Sequence, residues 1–167
     1  MAIVLIGPPA AGKSKVGKKL AKLLAKPFVD TDAIVVRDHG AITEIFAEHG
    51  EPHFRALERA AVLEALAQDA IVSFGGGAVL DEDTQRDLAG HVVILLDVDA
   101  EFVEDRIKQD GKRPLAPDIE SWKRLVEARR PLYNRLADRR VDTANRPRDQ
   151  IAQDLADWIH TAGEFSE

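Results

Sequence analysis

The chain has 167 residues, enough for one domain that buries its own core, and it has no cysteine, which excludes a disulfide framework and thiolate chemistry. Its 23 basic and 29 acidic residues leave a net charge of −6, which speaks against capture of nucleic acid by a broad basic surface. The five histidines show no metal-ligand spacing, no apolar run approaches a membrane span, and the start MAIVLIGPP is too short and lacks the cationic flank of a signal peptide. A soluble cytoplasmic monomer is expected, with no nucleic acid or membrane partner.

In chain order, the apolar run at 3–6 predicts a first strand, and residues 16–24 an amphipathic helix. FVD at 28–30 predicts a second, short strand. Residues 34–57 read as helical but interrupted by Gly40, Gly50 and Pro52. IVSF at 71–74 and VVILLDV at 92–98 predict two more strands. Between them Asp81 can cap the helix DEDTQRDLA, which Gly90 stops. A further helical pattern runs from Glu101 to Ile107, and QDGKRPLAPD at 109–118 is rich in breakers. Asp118 can cap a helix with Trp122, Leu125 and Val126 on one face, and Pro147 suits the first turn of a last helix carrying Ile151, Leu155, Trp158 and Ile159. Continuous β-branched runs separated by helices predict a doubly wound α/β domain with a parallel sheet covered on both faces. The two interrupted segments, about 33–60 and 109–119, are expected to form a substrate-binding part and a lid within one domain spanning 1–167.

GPPAAGKS at 7–14 satisfies G-x-x-x-x-G-K-[ST] between a predicted strand and a predicted helix. In such a loop backbone N–H groups wrap phosphates, Lys13 reaches the outer phosphates and the Ser14 hydroxyl joins a Mg²⁺ shell. The cradle comprises Gly7, Ala10, Ala11, Gly12, Lys13, Ser14 and Lys15. A bound nucleotide serves a switch, a motor or a phosphotransferase. The guanine-reading N-K-x-D of switches is absent, and DLAG at 87–90 falls inside a predicted helix. A motor needs a Mg²⁺-organising Asp at a strand end. Asp97 fits that pattern, but a strand-end turn and helix cap is the favoured reading for it. Asp30 and Asp32 form the better chemical pair, both facing one way if their segment is extended.

Taken together, GPPAAGKS, FVDTD at 28–32, GEPHFRALE at 50–58, GGGAV at 75–79, RPL at 113–115 and RRPLY at 129–133 resemble the shikimate kinase family in order and spacing. The resemblance spans nearly the whole chain. It implies transfer of phosphate from ATP to the 3-hydroxyl of shikimate with Mg²⁺, on a P-loop three-layer α/β/α fold with a central five-stranded parallel sheet. It assigns Lys13 to the phosphates, Ser14 and Asp30 to Mg²⁺, and Asp32 to the shikimate hydroxyls, near enough to accept the proton. Arg55 and Arg129 match the pair that grips the shikimate carboxylate, which suits a planar guanidinium fork. Gly76 and Gly77 match backbone that approaches the substrate, Arg113 the lid arginine over the transferring group, and Arg146 the adenine cover. Glu58, one turn after Arg55, is placed to fix its rotamer. Another small-molecule kinase of this fold, or a nucleotide-binding module without chemistry, are the competing expectations. The chain departs from the family pattern at Ala11, Lys15, Val36 and Ala116, and by a one-residue shortening near Gly40.

Overall fold

The computed structural model describes residues 1–110 and 119–164. Five parallel strands, β1 (Ile3–Ile6), β2 (Phe28–Asp30), β3 (Ile71–Ser73), β4 (Val92–Asp97) and β5 (Arg139–Asp142), form one sheet in the order β2-β3-β1-β4-β5. Strand order reverses at β1, so the carboxyl ends of β1, β3 and β4 open onto the crevice where such sheets bind ligands.

The central strands are apolar throughout because both faces are covered. Val4 and Ile6 of β1 join one core cluster with Val72, Val93 and Leu95, while Ile3 and Leu5 join a second with Ile71, Ile94 and Leu96. Each such side chain contributes roughly 1.5–3 kcal/mol when fully buried. On the second face α1 (Lys13–Leu24) presents buried Val16, Leu20 and Ala21 and packs on α7 (Arg148–Glu164). On the first face lie α2 (Thr31–His39) and α3 (Ile42–Leu66), packed on each other. The interruptions read in the sequence fall where the chain turns: Gly40 closes α2 with φ 90°, and α3 breaks at Gly50, φ 82° and ψ 174°. Pro52 follows in the first turn after that break, where its missing N–H costs nothing.

Asp81 caps α4 (Glu82–Asp87) by accepting from the Thr84 N–H at 2.9 Å, as the sequence predicts. The cap of α5 (Ala100–Asp110) is Asp99, which accepts from the Phe102 N–H at 2.8 Å. Asp97 does end β4 but is not that cap; its carboxylate turns inward to two arginines instead. The helix α6 (Ile119–Leu136) carries Trp122 and Val126 into the second core; its expected cap, Asp118, lies outside the described residues. The residue pattern placed no strand at β5, since it is an edge strand with only Val141 buried and reads RRVD. Among the described residues no helix is long and apolar enough to cross a membrane.

Candidate active site

The loop after β1 is shaped by contact with β4. At Gly7, φ is 145°, and a Cβ there would lie 2.1 Å from the Leu96 carbonyl oxygen, so only glycine fits. Ala10 holds φ 70°, in the left-handed region, whereas Ala11 does not, so the side chain at 11 is carried without backbone strain. Two buried groups from outside the loop brace it: Trp122 Nε1 donates to the Pro9 carbonyl at 3.0 Å, and Thr143 Oγ1 bonds the Ala11 carbonyl at 3.0 Å. Lys13, the first residue of α1, folds back so that Nζ donates to the carbonyls of Gly7 (2.8 Å) and Pro8 (2.9 Å). Burial pushes its ammonium down from 10.5 to about 8; the Asp32 and Asp30 charges oppose that shift and Arg129 adds to it.

Ser14 and Asp30 are brought together, with Ser14 Oγ donating to Asp30 Oδ2 at 2.8 Å. The other oxygen of Asp30 accepts from the N–H groups of Asp32 (2.9 Å) and Ala33 (3.3 Å), which makes it the N-cap of α2. This corrects the sequence picture of two carboxylates on one extended segment: Asp30 ends β2 and Asp32 lies in the first turn of α2. A capping aspartate satisfies the free amides of the first turn and so starts the helix one residue before Asp32. Asp32 still faces the crevice. Its carboxyl is raised above its ordinary value by burial first and by Asp30 second, against the pull of Lys13 and Arg55.

Each of the three consecutive glycines faces a different polar side chain. A Cβ at Gly75 would come within 2.6 Å of Asp32 Oδ1, one at Gly77 within 2.5 Å of Arg55 Nη1, and one at Gly76 within 3.4 Å of Arg129 Nη1. Gly76 and Gly77 are the expected pair; Gly75 is an addition, and its only signal in the sequence is its place in the triplet. The loop is pinned by fully buried Thr31, whose hydroxyl accepts from the Gly75 N–H at 3.1 Å, and by Tyr133, whose hydroxyl donates to the Gly76 carbonyl at 2.7 Å. Tyr133 thus does more than pack, and burial raises its hydroxyl above its ordinary value. Arg55 Nη1 donates to Glu58 Oε1 at 2.8 Å, and Glu51 lies 3.4 Å from the same guanidinium. Glu58 is only 4% exposed, and burial raises its carboxyl above the ordinary value despite the Arg55 hydrogen bond.

On the far side of the phosphate loop a cleft of about 630 Å³ opens between Gly12, Lys15, Phe102, Asn145, Arg146 and Pro147. Arg146 lies on its wall and is ion-paired to Asp154 of α7; Lys15 is exposed at its rim. Arg113, and with it most of the expected lid and Ala116, lies outside the described residues.

The phosphate loop thus has that cleft on one side and, on the other, where Pro9 lies against Gly76, two arginines and a carboxylate gathered on the glycine turn. A family model described as shikimate kinase matches residues 9–160. The chain belongs to the shikimate kinase family. It is 42% identical over 157 residues to the shikimate kinase of Corynebacterium efficiens, covering 92% of this chain and 93% of that one. The shikimate kinase of Thermobifida fusca is also 42% identical, with 96% of each chain covered. Among solved structures, shikimate kinase from Acinetobacter baumannii in complex with shikimate superposes with a TM-score of 0.88 at 32% identity, over 96% of this chain and 93% of that one. The enzyme from Aquifex aeolicus gives 0.83 at 30% identity, with 98% of each covered. The nucleotide loop therefore serves a phosphotransferase, not a switch or a motor, and the five-stranded P-loop kinase architecture is the family's own.

Proposed function

We propose that this chain transfers the γ-phosphate of Mg·ATP to the 3-hydroxyl of shikimate. The observation that carries the reading is the convergence of Asp32, Arg55 and Arg129 on Gly75, Gly76 and Gly77, a few ångströms from the loop that ends in Lys13. Two guanidinium groups beside a bare backbone suit a carboxylate on a ring, and a carboxylate suits its hydroxyls. A solved relative of the same fold that holds shikimate supports the same acceptor.

In this reading the loop amides and Lys13 bind the triphosphate, with Lys13 leaving the Gly7 and Pro8 carbonyls for phosphate oxygens. Ser14 and Asp30 supply one hydroxyl and one carboxylate, the hard oxygen donors of a Mg²⁺ held mainly by phosphate and water; among the described residues no cluster of three acidic or histidine side chains provides a closed protein cage. When bound, Mg²⁺ neutralises charge on the phosphates. Arg55 and Arg129 hold the acceptor by its carboxylate, and Glu58 keeps Arg55 in place. Asp32 orients the attacking hydroxyl, and its raised affinity for a proton suits it to take the one released. Phosphoryl transfer itself needs mainly this alignment and charge stabilisation.

The test is ADP release by the purified protein with Mg·ATP, with and without shikimate, against Lys13→Ala. Shikimate-dependent release that vanishes in the variant is expected. Binding of ATP without stimulation by shikimate would overturn the acceptor assignment and leave the nucleotide loop intact.

A further inference from the structure

Among the described residues, the proposed chemistry leaves one buried carboxylate without a task. Asp97, 3% exposed, has both oxygens engaged: Oδ1 accepts from the Val98 N–H at 2.9 Å, and Oδ2 accepts from Arg130 Nη1 at 2.8 Å and Arg140 Nη2 at 2.9 Å. Its main-chain carbonyl accepts from the Thr143 N–H at 2.9 Å. A carboxylate buried at a strand end is unfavourable unless its partners are fixed, so this ion pair holds Arg130 as firmly as Arg130 holds it.

Arg130 is the residue after Arg129 on α6. Successive helical residues point about 100° apart, so docking Arg130 on the end of β4 sets the rotation of α6 and the direction in which Arg129 leaves it. This stretch needs such a brace because Pro131 lies inside the helix. The proline removes the N–H that would bond the carbonyl of Glu127 and crowds that carbonyl, which weakens the backbone ladder around Arg129. Side chains supply the missing support on either side: Trp122 bonds Pro9, Tyr133 bonds Gly76, and between them Arg130 bonds Asp97.

We infer that Asp97 is a positioning residue for the acceptor clamp: through Arg130 it fixes the part of α6 from which Arg129 reaches over Gly76. The inference rests on the proposed reading of Arg129 as a ligand of the shikimate carboxylate. Arg140 shares the carboxylate but belongs to β5, so the two arginines separate positioning from simple charge compensation.

The experiment is steady-state kinetics on wild type, Arg129→Ala, Arg130→Met and Arg140→Gln, varying shikimate and ATP in turn. Methionine keeps much of the apolar stem of Arg130 and removes the ion pair. Arg130→Met is expected to raise the KM for shikimate about tenfold, the scale of a small misplacement of a binding group, and to leave the KM for ATP within twofold. Arg140→Gln should leave both within twofold. Adding Asp97→Asn to Arg130→Met should raise the shikimate KM no further. A folded Arg130→Met with an unchanged shikimate KM, or equal effects of Arg130→Met and Arg140→Gln, overturns the inference. Should Asp97→Asn fail to fold, the contrast between the two arginine variants decides alone. Wild type inactive with shikimate would instead overturn the proposed function, and an Arg129→Ala effect without an Arg130→Met effect would overturn the positioning role only.

Discussion

At the proposed nucleotide end, residues 7–14 form one uninterrupted stretch, loop running into α1, whose proposed ligand groups are largely backbone, held by the Lys13 ammonium on the Gly7 and Pro8 carbonyls and by Trp122 and Thr143 from outside. At the proposed acceptor end nothing is contiguous. Asp32 comes from α2, Arg55 from α3, the three glycines from the turn after β3, and Arg129 from α6. Gly7 apart, the first design tolerates side-chain change, since an amide can be offered by almost any residue. The second depends on each element's placement, and braces are found at three of its elements: Thr31 for the glycine loop, Glu58 for Arg55, and Tyr133 with the Asp97 pair for α6.

The largest test of this contrast is Lys13→Ala. Its ammonium is the long side chain that the loop itself contributes to the backbone-built end, and its loss should lower kcat by about 10²–10³-fold, the range for one electrostatic group acting on a transferring centre. Folding should not suffer, because burial already disfavours the Lys13 charge. A thermal midpoint that falls steeply with activity would mean that the lysine is chiefly structural. At the other end, Arg129→Ala and Arg55→Ala should each raise the KM for shikimate about 30-fold or more while the KM for ATP stays within threefold, as expected when one partner of a hydrogen-bonded charge pair is removed. Equal shifts in both Michaelis constants would erase the distinction between the two ends.

The same contrast explains what could be read from the sequence. The loop is legible because a strand, GPPAAGKS and a helix lie side by side in one stretch, and β1 and β4 are legible because two-sided burial leaves unbroken apolar runs. The acceptor site became legible only through the joint order of distant motifs; alone, Arg55 or Arg129 looks like any surface arginine. Gly75 carries no sequence signal of its own because its requirement comes from Asp32, across the crevice. β5 has no sequence signal because an edge strand with one buried residue has no apolar pattern, and the sequence does not show the true role of Asp97 because its arginine partners lie 33 and 43 residues away. Trp122, on an apolar helix face, gives no sign that its N–H holds the phosphate loop.

A pH series sharpens the comparison with smaller effects. In the free protein the Lys13 ammonium loses its proton near pH 8, below the 10.5 of the unfolded chain. Between those values the unfolded chain binds more protons, so stability rises with pH across that window. Nucleotide binding runs the other way. Phosphate oxygens favour the charged amine, so above pH 8 a proton must be taken up on binding, and the dissociation constant measured by calorimetry should weaken about tenfold between pH 7 and pH 9. Lys13→Met should flatten that change. Guanidinium groups do not titrate in this range, so the affinity for shikimate should move less than threefold over the same step. A nucleotide affinity that is equally flat in wild type would show that the lysine is fully charged before ligand arrives.

The smallest effect belongs to the backbone itself. Ala10 occupies the left-handed region at φ 70°, where a Cβ costs about 1–2 kcal/mol, while its neighbour Ala11 is 3% exposed and free of that strain. Ala10→Gly removes the Cβ conflict but gives the unfolded chain more freedom, which offsets about 0.5–1 kcal/mol of the gain. A net stabilisation of about 0.5–1 kcal/mol follows, a rise in thermal midpoint of about 1–4 °C for a chain of this length. Ala11→Gly should do the reverse, since there the mutation loses buried packing and adds unfolded-state entropy with no strain to relieve. Opposite signs at adjacent positions, with kcat within twofold in both, would locate the loop's strain at one residue and confirm that its ligand groups are amides. A destabilised Ala10→Gly would mean that the alanine methyl contributes more through packing than its backbone costs.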